Sequence, residues 1–200
     1  MPQVFSPETL LSIGVGIGLA AAAGFRVFVP LLVLSLAARA GWVPLSAGFE
    51  WLGSTAATLA FASATMLEVV AYYVPWRDNL LDTISAPTAV VAGMIATASV
   101  VTDLPPLLKW SIAIIGGGGA AGLVAGSTSL LRLKSTAFTG GLANPIVATT
   151  ELAGSVVTSV LAILVPIIVL LFVLFLTLVG WRVSRKLSGS GGTSELKARS

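Results

Sequence analysis

Two apolar runs, Leu10 to about Ala38 and Pro145 to Trp181, are each too long to cross a bilayer as one straight helix. At 1.5 Å per residue they would measure roughly 44 Å and roughly 55 Å, against a hydrocarbon core of about 30 Å. Each must tilt, break or protrude. In the first run, Gly24, Arg26 and Pro30 mark the place for a break, because Pro30 has no N–H to offer the carbonyl of Arg26. In the second, Pro166 separates two unlike parts. The part before it carries Glu151, Ser155, Thr158 and Ser159 at helical spacing, while Ile167 to Val179 is lipid-like apart from Thr177.

Composition sharpens this. Of 200 residues 56% are hydrophobic and 10% charged, with mean hydropathy +1.00, where a soluble domain carries about a quarter charged residues. The expected fold is all-α, a multipass transmembrane helix bundle of five or six membrane-embedded helices, with the first and last runs broken or kinked. Residues 1–9 would form an N-terminal segment and 10–182 a single transmembrane domain. Residues 183–200, rich in Gly and Ser, would be a disordered tail. Residues 1–12 hold no Lys or Arg to open a signal peptide, so the first helix is expected to be retained.

The other spans follow from the same pattern. The second covers about Ser54 to Val74, with Ser54, Thr58, Thr65, Glu68 and Tyr72 on one face that should look into the bundle. Pro75 to Asp82 reads as a surface turn. A short third span runs from about Pro87 to Val101 and a fourth from about Trp110 to Leu131, where Gly118, Gly122 and Gly126 offer a bare face for close helix packing. Gly117, Gly119 and Gly122 match a dinucleotide-binding glycine pattern, but inside an apolar helix the pattern has no strand to follow. All five tryptophans, Trp42, Trp51, Trp76, Trp110 and Trp181, stand at predicted span ends.

The sequence pI of about 9.7 does not point to nucleic acid, since Arg182, Arg185, Lys186, Lys197 and Arg199 all follow the last apolar run. With five crossings the tail side collects seven Lys and Arg against three; with the final run split, eight against two. Either count puts the C-terminus in the cytoplasm of a cell-membrane protein.

The chain has no Cys and no His, which removes thiolate or imidazole metal sites, Cys nucleophiles and the usual imidazole base. No catalytic residue, cofactor or metal is expected, and the chain is not read as an enzyme. The polar-site candidates are Arg26, Glu68 and Glu151, three charges at apparent membrane depth, with Asn144, Gly140 and Gly141. Arg26 needs a partner there, either Glu68, Glu151 or both. Asn144 reads as a helix cap before Pro145 at the first helical position. That helix start follows hydroxyls at Ser135, Thr136 and Thr139, and either anchors an ordinary surface loop or points its free N–H groups at an anionic group inside the protein.

Three stretches, GFRVFVPLLVLSLAARAG (Gly24 to Gly41), LEVVAYYVPWRDNLLD (Leu67 to Asp82) and STAFTGGLANPIVATTE (Ser135 to Glu151), together resemble the bacterial membrane family of domain of unknown function 4126. The resemblance covers roughly residues 10 to 182. It places the family pattern on Gly24, Arg26, Phe28 and Pro30, on Glu68, Pro75, Asp78 and Asp82, and on Gly140, Gly141, Leu142, Asn144, Pro145 and Glu151. Leu152 departs from it, standing where a second acid is expected. The resemblance implies a membrane protein and brings no activity. The leading expectation is a small permease-like or channel-like protein, alone or as a homo-oligomer, in contact with membrane lipid and with an unknown substrate. The alternatives are a scaffold or lipid-interacting protein whose buried charges only specify packing and, third, an enzyme acting on lipid.

Overall fold

The computed structural model describes residues 6–72, 78–140, 142–165 and 175, and the side chains of these except 72 and 78–83. The described residues are all-helical apart from turns and loops. Helices α1 (Pro7–Phe25) and α2 (Phe28–Arg39) are followed by a 3-10 turn at Glu50–Gly53 and by α3 (Thr55–Tyr72) and α4 (Asp78–Val100). Next come α5 (Pro106–Ile112), a π-helical turn at Ala113–Gly118, α6 (Gly119–Thr139) and α7 (Asn144–Leu164).

The first apolar run breaks where Pro30 requires it. Ser6 caps α1, its hydroxyl accepting from the Thr9 N–H, and α1 ends at Arg26, whose backbone is extended (φ −145°, ψ 126°). Pro30 lies in the first turn of α2, where a missing N–H does no harm. The break is a reversal. Gly16 packs on Thr97 and Gly93 on Ala20, so α4 runs antiparallel to α1. Ser46, beyond the end of α2, donates its N–H to the Ser99 carbonyl at 2.7 Å. Helix α2 therefore returns toward the end from which α1 set out. At its far end Gly41 (φ 75°) supplies the left-handed residue, with its N–H on the Ala38 carbonyl and that of Trp42 on Ala37. Lys109 donates to the Ser46 hydroxyl at 2.8 Å and lies 5.6 Å from the Phe49 ring centre, tying this connection to α5.

Helix α3 runs back along α2, with the hydroxyls of Ser35 and Thr58 2.7 Å apart. The centre is packed with small side chains. Gly24 lies against the backbone of Ala121 and Ala125, and Gly93 against Ala20, Ala121 and the Gly117 carbonyl. Leu19, Leu34, Leu52, Ala96 and Val100 fill the core around them. The outward faces are apolar too, with Leu67, Ile115, Phe138 and Ile146 each more than two-thirds exposed, as lipid rather than water allows. Three helical stretches are long and apolar enough to span a membrane: Pro7–Phe25, Pro106–Thr139 and Asn144–Leu164. Phe28–Arg39, Thr55–Ala71 and Ile84–Val100 are shorter apolar helices.

Several expectations need correction. The third helix starts at Asp78, within the expected surface turn, and Pro87 lies inside it, forgoing only the bond to the Thr83 carbonyl. The fourth is a 34-residue stretch continuing through the π turn to Thr139, past the charges that suggested an end near Leu131. Of the three packing glycines, a Cβ added at Gly118 would meet Met94 and Val90, one at Gly122 would meet only Val90, and one at Gly126 would meet nothing within 4 Å among the described residues. Gly126→Ala should therefore leave thermal stability unchanged or raise it by about 0.5–1 kcal/mol, the usual gain for Ala over Gly inside a helix; a loss in a melting experiment would restore Gly126 as a contact. Helix α7 ends at Val165 (φ −144°, ψ 68°), since the residue before a proline is driven out of helical geometry. Trp42, Trp51 and Trp110 are exposed at helix ends. Trp76, Trp181, Gly141, Pro75, Pro166 and the tail at 183–200 lie outside the described residues, as do the side chains of Asp78 and Asp82.

Candidate functional site

The α1–α2 reversal leaves helix ends inside the bundle, and residues of other helices answer them. On the α1 side, the Ser155 hydroxyl of α7 donates to the Ala22 carbonyl at 3.0 Å. On the α2 side, Val27 offers no side-chain cap, and the Glu68 carboxylate of α3 takes its place. It accepts the N–H of Val27 at 2.8 Å and that of Phe28 at 3.1 Å. A carboxylate at the positive end of a helix is stabilised by both the hydrogen bonds and the dipole. Glu68 thus spends these two bonds on backbone amides, and Arg26, which the sequence allowed as its partner, acts on it as a nearby opposite charge.

Arg26 turns instead toward α7. It is 1% exposed, donates to the Ala148 carbonyl at 2.9 Å, and places its Nη2 3.6 Å from Glu151 Oε2. The closest partner of Glu151 is Arg132 of α6. Arg132 Nε donates to Oε1 at 2.9 Å and its Nη2 to Oε2, a side-on two-point pair. Arg132 and Glu151 are each 5% exposed, so two guanidiniums share one buried carboxylate.

Arg132 is not among the sequence candidates, because it falls just past the expected end of the fourth span at Leu131. A signal existed: Ala121, Ala125, Thr128 and Arg132 follow one another at helical steps, and all four are buried. Extending the helix past Leu131 would have turned Arg132 inward with them.

The remaining candidates stand apart from this cluster. Gly140 is exposed and ends α6 in the left-handed conformation (φ 61°). Asn144 is the first residue of α7, not its cap; the cap position is Ala143, whose N–H goes to the Thr139 hydroxyl at 3.2 Å. The Asn144 amide turns to Thr136 Oγ1 at 3.2 Å, tying α7 to α6 one turn before Ala148.

Between the reversal and α6 lies a cavity of about 10 Å³, bounded by Gly24 and Val27 with Glu68, Thr128, Ser129 and Arg132. Its polar lining comes from α3, α4 and α6. Among the described residues no group of three or more acids could hold a metal ion. Stripping the cap with Glu68→Ala should cost about 1–2 kcal/mol. Glu68→Gln, which keeps one acceptor oxygen, should cost less. Melting of both variants in detergent checks the order, and equal losses would show that the charge, not the acceptor, matters.

No curated protein and no solved structure matches the chain. The family model described as Domain of unknown function (DUF4126) matches residues 13–186, a span that takes in the reversal, Glu68, Arg132 and Glu151, and the chain therefore belongs to that family.

Proposed function

We propose that the protein is a small multipass membrane protein of permease-like or channel-like character, with its internal polar site at the α1–α2 tip. The observation that carries this reading is the length of α2. Its 12 residues rise about 18 Å, well short of the roughly 30 Å hydrocarbon core, so with the exposed Trp42 beyond its far end taken at headgroup level the reversal lies within the membrane in this reading, and the first turns of the longer α1 project beyond it. Irregular backbone at such depth is tolerated where it is buried in protein or lines a water-filled path. Broken helices whose ends meet charged groups are the usual architecture of solute and ion sites in transporters. In this reading Arg26, Glu68, Arg132 and Glu151 form the site, lipid surrounds the bundle, the tail is cytoplasmic, and no catalysis takes place.

One observation favours a second reading, a scaffold whose charges only specify packing: Glu151 is gripped at two points by Arg132 and lies beside Arg26. Flux separates the two. Purified protein in proteoliposomes should pass at least one member of a panel of small ions and organic acids, and Glu151→Gln should abolish that flux. A stable protein that passes none of the panel supports the scaffold.

A further inference from the structure

We propose that one ordered water molecule occupies the cavity beside Glu68, bridging α3 to α6, so that the tip of the hairpin is a hydrated site. The inference goes beyond the transport reading and stands without it. A volume of about 10 Å³ is the space of about one water, and a water in a protein interior typically makes about three hydrogen bonds. The lining supplies them. A carboxylate offers about four acceptor positions, of which the amides of Val27 and Phe28 occupy two in Glu68. The Thr128 hydroxyl gives its proton to the Ala125 carbonyl at 3.0 Å, which leaves its oxygen free to accept. Ser129 lines the same space, and its hydroxyl has no partner among the described residues. One carboxylate and two hydroxyl residues thus line a water-sized space, the combination that distinguishes a wet cavity from an apolar dry one. Neutral water fits better than an ion: the Arg132 guanidinium in the lining opposes a cation, and the Glu68 carboxylate opposes an anion.

The test is a high-resolution structure of the protein in lipid. The expected result is one density peak in the cavity, about 2.6–3.2 Å from a Glu68 carboxylate oxygen and from at least one of the Ser129 and Thr128 hydroxyls. Ser129→Val, which removes a partner and adds a methyl, should expel the peak and leave the Arg132–Glu151 contact in place. An empty cavity, or one filled by a moved side chain, would overturn the proposal. So would a peak that gains anomalous signal after soaking in rubidium or bromide, since the site would then hold an ion. A peak unmoved by Ser129→Val would overturn the assigned partners. None of these outcomes depends on flux.

Discussion

Replacing Glu151 with Ala is expected to lower the stability of the protein by about 3–5 kcal/mol, the usual cost of removing one partner from a buried charge pair. The cause is the asymmetry of the site. Glu151 is one carboxylate serving two guanidiniums, Arg132 at two points and Arg26 at 3.6 Å, all within 5% exposure. Its loss leaves both cations in a low-dielectric interior without that counter-charge. Thermal unfolding in detergent measures the loss. The double variant Arg132→Met with Glu151→Leu should recover part of it, because a buried ion pair replaced by apolar groups of similar volume is often no worse than the pair. If the recovered protein melts like the parent but carries no solute, the charges serve function more than folding. If Glu151→Ala melts unchanged, the two-arginine arrangement is wrong.

The second large effect is expected at Gly24, two residues before Arg26. A Cβ there would lie 2.6 Å from the Ala121 carbonyl oxygen and 2.9 Å from the Ala125 nitrogen. These are backbone atoms, which cannot swing aside as a flexible side chain would. Gly24→Val should force α1 away from α6 and cost at least the upper end of the about 1–3 kcal/mol typical of overpacking. It should also loosen the tip, since α6 carries Arg132. Melting and expression yield in the membrane fraction both read this, with Gly126→Ala as the matched control in an open position.

Much of this architecture was legible because it is encoded locally. Pro30 and Pro166 end or break helices by their own chemistry, and the structure ends α1 at Phe25 and α7 at Leu164, a short way before each. The face of α3 carrying Thr58 and Glu68 was readable from spacing, and it does meet α2. What was not legible depends on partners far away in sequence. Nothing in residues 24–30 says whether the broken helix kinks onward or folds back; that follows from α4 and α7 packing on it. Arg132 looks like a boundary charge because it stands with Lys134 at the end of an apolar run, whereas the deciding fact is Glu151 on another helix. Part of the role of Glu68 is hidden for a related reason: it accepts from backbone amides freed by the break, which a search for opposite charges does not find. Asn144 resembled a cap by type, and its amide is instead drawn to Thr136.

The most direct test of a hydrated internal site at the α1–α2 tip uses the absence of native Cys. Ser129→Cys, in membranes, is treated with a small uncharged thiol reagent, with the exposed Thr139→Cys and the fully buried Leu34→Cys as references. The expected result is labelling of Ser129→Cys that is slower than that of Thr139→Cys but complete, while Leu34→Cys stays unlabelled. A Ser129→Cys protein that stays as unreactive as Leu34→Cys would contradict a hydrated site and leave a dry structural knot.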